Sequence, residues 1–255
     1  MSLNSLLNFT RDIELIICVA ALCFLVVRKQ WRDYWALGSF LAVRLASSIC
    51  LWSLLHEANK GLPRHTAYYA YFYVYWGAFA IESILAIAIV FSIFRLTMKP
   101  LKGLQILGML MFCAAAVTSV AVALGSAFLP NMAAIRYLVA AISQLQRNES
   151  LLTLCMLLFV CVAIRPMGLS YRSRVFGVSL GLGLLAMNDL VQSALFASNP
   201  RMNMSLSLVN SIVFCAVLAI WAAYFARREP RRREIAISPT SALFRWNARS
   251  LAWFG

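Results

Sequence analysis

Long unbroken apolar runs separated by short polar connections dominate the chain. Leu6 to Val27, Tyr34 to His56, Phe72 to Phe94, Leu104 to Phe128, Val175 to Phe196 and Met204 to Phe225 each suffice to cross a hydrocarbon core, which takes about 20 residues of helix. Leu151 to Ile164 is too short alone, so that helix is expected to borrow its outer turns from the mixed segment Met132 to Ser150. Pro63, Pro100, Pro130, Pro166, Pro200, Pro230 and Pro239 all fall in connections or in the tail. That placement suits a residue that lacks an N–H and clashes with the preceding turn. The pattern predicts an all-α fold: a bundle of seven transmembrane helices over residues 1–226, then a basic tail over 227–255.

Composition agrees, with 62% hydrophobic and only 13% charged residues, a balance that soluble domains rarely show. The charges set an orientation. Arg28, Lys29 and Arg32, then Arg95, Lys99 and Lys102, then Arg165, Arg172 and Arg174 fill alternate connections, and the arginines of the tail join the same side. The opposite side holds Arg11, Lys60, Arg64, Arg136, Arg147 and Arg201. By the positive-inside rule the N-terminus is expected outside and the C-terminus in the cytoplasm. The net charge of +14 is thereby a topology signal, and no nucleic-acid partner is expected. The first helix lacks a basic leader and a small-residue cleavage site, so it is expected to be retained.

Cys18, Cys23, Cys50, Cys113, Cys155, Cys161 and Cys215 lie within the apolar runs and read as small buried hydrophobes, not as a disulfide framework. Gly177 and Gly181 share one ridge of the sixth helix, with Ser179 and Gly183 on the next. Ala115, Ser119, Ala123 and Ala127 recur every four residues in the fourth. Small residues at this spacing let backbones approach closely and are expected to pack helices within the chain. Tyr68, Tyr69, Tyr71, Phe72, Tyr73, Tyr75 and Trp76 read as an interfacial aromatic belt. Tyr71, Tyr75, Ala78 and Glu82 nevertheless share one helical face, so two tyrosines look down the side of a carboxylate.

Glu82 is the leading functional candidate, since a charge inside a span is costly and usually partnered. At 1.5 Å per residue, Arg44 of the second helix and Glu82 of the third both lie roughly 15–20 Å deep and are expected to pair. A buried structural ion pair explains them equally well. Asp189 and Gln192, with Asn188 and Ser193, mark the sixth helix; Asn203, Ser207, Asn210 and Ser211 share a face of the seventh; Gln144, Arg147 and Glu149 belong to the fifth. These residues suggest either a polar pocket open to the outside or a hydrogen-bonded seam between helices. The candidate ligand-binding set is Tyr71, Tyr75, Glu82, Arg44, Asp189, Gln192, Asn210 and Arg147.

His56, Glu57 and His65 are too few and too loosely spaced for a zinc site. No lysine stands in the last helix for a retinal Schiff base, and the halves show no repeat of the kind that builds sugar transporters. No nucleophile and base are paired in the pattern, so a membrane-embedded enzyme ranks behind the sensor and transporter readings, and no cofactor or metal is expected. In the tail, Leu243, Phe244, Trp246, Leu251, Trp253 and Phe254 oppose Arg245 and Arg249, as in an interfacial helix on anionic lipid headgroups. A disordered tail that docks a partner protein is the alternative.

The segment Gly168-Leu169-Ser170-Tyr171-Arg172, followed by Val175-Phe176-Gly177 and Gly181-Leu182-Gly183, resembles a group of small bacterial seven-helix integral membrane proteins that have no assigned activity. The resemblance covers mainly Leu151 to Ala197. It implies seven helices and a multi-pass protein of the bacterial inner membrane, and it carries no functional residue. Three readings of function remain open. One is a sensory or regulatory protein with a small-ligand or lipid pocket in its outer half; another is a transporter using Arg44, Glu82 and Asp189; the third is a structural subunit of a membrane complex.

Overall fold

The computed structural model describes residues 3–58, 64–98, 102–127, 134–163, 170–198, 203–227 and 247. Among them run seven helices: α1 (Leu3–Val27), α2 (Trp35–Ala58), α3 (Arg64–Thr97), α4 (Lys102–Ala127), α5 (Ala134–Ala163), α6 (Arg174–Ser198) and α7 (Asn203–Ala226). Five carry stretches long and apolar enough to cross a membrane: Trp35–Leu54, Tyr68–Thr97, Ala141–Val162, Arg174–Leu195 and Ser205–Ala226. In α1 the triplet of charges Arg11, Asp12 and Glu14 shortens the apolar run, and in α4 the stretch is Gly108–Val122. Such helices make this a membrane-embedded protein. Ile16, Ile49, Ile84, Met111, Val117, Leu158, Val162 and Met187 point outward, an apolar girdle that water would penalise and hydrocarbon accommodates.

Helices α1, α2, α3, α5, α6 and α7 form a closed ring in that order, and α4 lies outside it against α3 and α5. α5 is one continuous helix from Ala134, which absorbs the mixed segment ahead of Leu151. The sixth-helix glycines act as expected. A Cβ on Gly177 would strike the Tyr224 ring, one on Gly181 the Trp221 indole, and one on Gly183 the Leu157 side chain. The ridge thus seats two aromatic residues of α7 and one leucine of α5 within the same chain. In α4, the side chains of Ser119, Ala123 and Ala127 lie outside the described residues.

The basic end is closed by helix capping. α1 terminates in a Schellman motif, with Gln30 N donating to Leu25 O at 3.2 Å and Lys29 N to Val26 O at 2.9 Å. Lys29 occupies the left-handed position of that motif at φ 53°, where glycine is usual. Arg28 Nη2 donates to Ala226 O at 2.9 Å and Arg174 Nη2 to Arg227 O at 3.1 Å. Two cations therefore cap the carbonyl-rich, partly negative end of α7. Ser173 Oγ accepts the Phe176 amide at 3.4 Å and begins α6. Of the tail, Asn247 alone is described, and its Oδ1 accepts the Gly103 amide at 2.8 Å in the first turn of α4. The expected interfacial helix otherwise lies outside the described residues.

The fully buried side chains gather in the half of the bundle near this basic end: Leu25, Leu37, Leu41, Ile89, Ile93, Leu218, Trp221 and Phe225. Tyr34 meets Phe225 edge to face at 5.2 Å, and Phe40 meets Trp221 at 6.2 Å. The other half is cavitied and polar. One expectation is corrected here: of the seven cysteines only Cys18 is buried, whereas Cys23, Cys50, Cys113, Cys155 and Cys161 face outward. A weakly polar thiol sits on a lipid-facing wall as readily as in a core, so an apolar run does not reveal which side its cysteines take.

Candidate functional site

Where the dry half of the bundle ends, three helices deliver charges to one point. Arg44 on α2 donates from Nε to Glu14 Oε1 on α1 at 3.0 Å and from Nη1 to Glu82 Oε2 on α3 at 3.1 Å. The pair expected between Arg44 and Glu82 is present, but Glu14 is an added partner. The Arg44 Cζ also lies 4.5 Å from the centre of the Phe214 ring on α7, a cation–π contact that joins a fourth helix to the group. Ser47 Oγ donates to Arg44 O at 3.0 Å and lies 3.5 Å from Glu82 Oε1. Two carboxylates on one guanidinium satisfy donors that would otherwise be stranded in a low-dielectric bundle.

Two members of this ion triad, Arg44 and Glu82, line two cavities. An outer chamber of about 330 Å³ is lined by the triad, by Arg11, by Ser47, Ser48, Ser207, Asn210 and Ser211, and by Tyr71, Tyr75 and Phe79. The three rings stack in parallel along α3, with centroids 6.3 and 6.2 Å apart, which gives the chamber one aromatic wall. An inner chamber of about 100 Å³ takes Arg44, Glu82, Phe79 and Asn210 from the same boundary and adds Gln146, Glu149, Asp189 and Ser83. Its remaining walls include the apolar Phe40, Leu182, Ala186 and Phe214. Glu149 is buried and accepts the Thr153 hydroxyl at 3.1 Å. Gln146 lies within hydrogen-bonding reach of Asp189.

Chemically, the outer chamber offers both signs of charge, hydroxyls, amides and a ring surface. That combination suits a small molecule carrying polar groups at one end and a flat or apolar body. The inner chamber has carboxylates from three helices and, among the described residues, Arg44 as its sole lining cation. It favours protons or a small cation over an anion.

No family model, curated protein or solved structure matches the chain.

The structure distributes the residues singled out in the sequence unevenly. Tyr71, Tyr75, Arg44, Glu82 and Asn210 meet at the outer chamber, and Asp189 lines the inner one. Gln192 belongs to a seam: its Nε2 donates to Asn188 Oδ1 at 3.2 Å, and Asn188 Nδ2 donates to Asn210 Oδ1 at 2.8 Å. Pocket and seam are thus the same polar face of α7 seen from two sides. Arg147 is exposed on α5 and lines neither chamber. His56 stacks on Trp52 at 5.5 Å, and no cluster able to hold a metal occurs among the described residues.

Sequence reasoning missed Glu14, Gln146, Phe79, Phe214 and Ser47. The signal for Glu14 was an acid inside the first apolar run. The signal for Gln146 was its i, i+3 spacing to Glu149.

Proposed function

We propose that the chain is a seven-span protein of the bacterial inner membrane, with its N-terminus outside and its basic tail in the cytoplasm, that senses a small polar ligand held in the outer chamber. The observation carrying this reading is the position of the ion triad. It forms the floor of an open polar chamber and rests on a dry core that continues to the basic end. A ligand that competes for Arg44, Glu14 or Glu82 would reset the contacts among α1, α2 and α3, and a regulatory protein can pass such a helix shift to cytoplasmic partners. Arg11, Tyr71 and Tyr75 would select the ligand, and the triad would report its presence.

A transporter is the second reading, favoured by the inner chamber beyond the triad, where Glu149 and Asp189 extend the line of carboxylates. In that case the triad is a gate, and the dry half must open in another conformation.

The experiment is native mass spectrometry on the full chain, gently extracted from its own membrane. A stoichiometric small molecule that is lost in Tyr71→Phe/Tyr75→Phe supports the pocket. A protein that carries none, and whose melting temperature no polar metabolite raises, would rule out the ligand reading. Substrate flux into proteoliposomes that disappears in Glu82→Gln would replace the sensor with the transporter.

A further inference from the structure

A third cavity, of about 310 Å³, lies at the basic end, remote from the ion triad. It is enclosed by Arg32 and Asp33 of the α1–α2 connection, by Trp35 at the start of α2, by Ser92, Arg95 and Leu96 at the end of α3, and by Lys102 and Gln105 at the start of α4. Its volume falls within the roughly 300–1,000 Å³ of small-ligand pockets. The walls are fixed to one another: Gln105 Nε2 donates to Arg95 O at 3.2 Å, and Asn247 Oδ1 holds the Gly103 amide beside Lys102.

Among the described residues, three cations line this cavity against one carboxylate, Asp33. The ion pairs among the described residues both belong to Arg44, so Arg32, Arg95 and Lys102 converge with no carboxylate bound to any of them there. Like charges gathered in a concavity raise its potential and draw an anion. Two further features say what kind. Trp35, which lines it, is exposed, as tryptophans are at headgroup level. From Lys102 an exposed apolar stripe runs along the same face of α4 through Ile106 and Leu110, at the four-residue spacing that keeps side chains in line. A soluble anion would use only the cations, whereas an anionic phospholipid would use both.

We propose that the cavity between the starts of α2 and α4 and the end of α3 is a binding site for an anionic phospholipid, with its phosphate among Arg32, Arg95 and Lys102 and an acyl chain along Ile106 and Leu110. The bound lipid neutralises the convergent charges and ties α4, which stands outside the ring, to α3 and to the α1–α2 connection. The site shares no lining residue with the outer chamber.

The test uses the full chain, delipidated in a neutral detergent and melted with added phosphatidylglycerol, phosphatidylcholine or sodium phosphate. Phosphatidylglycerol is expected to raise the melting temperature while phosphatidylcholine and phosphate leave it unchanged. In Arg95→Gln/Lys102→Gln the lipid concentration giving half the shift should rise about tenfold or more, and in Arg231→Gln/Arg232→Gln/Arg233→Gln it should stay put. An equal response in the pocket variant, or a shift that phosphate reproduces, overturns the proposal. Should the pocket variant not fold, Asp33→Asn decides: removing the one acid should tighten the response to phosphatidylglycerol, and an unchanged or weaker response overturns the site.

Discussion

Arg44 is bound by Glu14 through Nε and not through the Nη1 that it gives to Glu82, so the two carboxylates occupy separate donors of one guanidinium, 3.0 and 3.1 Å away. The arrangement makes Arg44 the common member of both pairs. Arg44→Met would leave two largely buried acids facing each other with no cation between them and is expected to destabilise the bundle by on the order of 3 kcal/mol. Glu14→Gln and Glu82→Gln each keep one pair and should cost less. Melting curves in detergent check the ranking, which fails if either glutamine variant melts below Arg44→Met.

The shared arginine also decides a charge swap. Arg44→Glu with Glu82→Arg exchanges the signs of one pair but sets a carboxylate against Glu14. The double variant is therefore expected to fold better than Arg44→Glu, which sets three carboxylates together, but to fall short of the unchanged protein. Adding Glu14→Gln should recover part of the folded yield, read by size-exclusion chromatography, and a full recovery without it would show that Glu14 contributes little.

Glycines separate into those that seat a neighbour and those that face open space. Gly181→Ala pushes a methyl into Trp221 and should destabilise by roughly 1–3 kcal/mol. Gly77 has nothing near its missing Cβ. Gly77→Ala is expected to be neutral or to stabilise by up to about 1 kcal/mol through helix propensity. Equal melting temperatures for the two variants would mean that α6 and α7 are packed less closely than described.

Lys29 holds a left-handed backbone conformation, φ 53°, that an L side chain adopts at a cost of roughly 1–2 kcal/mol. Lys29→Gly relieves it within the same Schellman motif. An increase in stability of up to about 1 kcal/mol is expected, and a decrease would mean that the lysine charge at the α1 terminus outweighs the strain.

Orientation is read directly by labelling. In a background without cysteines, Thr66→Cys and Arg172→Cys place thiols at exposed positions at opposite ends of the bundle. A membrane-impermeant maleimide added to intact cells is expected to label Thr66→Cys and to reach Arg172→Cys only after lysis. The reverse pattern would invert the proposed topology.

Helices, their number and the matched depth of Arg44 and Glu82 were legible in the sequence because they depend on local quantities: apolar run length, proline placement and rise per residue. The facing of each helix was not. In a soluble protein the buried stripe is the apolar one, but here the outer wall is as apolar as the core, so hydropathy carries little contrast between them. Only the tertiary structure could therefore turn Cys23 and Cys155 outward, place α4 outside the ring and bring Glu14 to Arg44. It also divided the bundle into a dry half around Trp221 and Leu41 and a chambered half around Glu82, because that division depends on which large side chains from distant helices fill the space between them. The sequence determined what must lie in the membrane and which charges need partners there; the packing decided which partners they found and where the space was left.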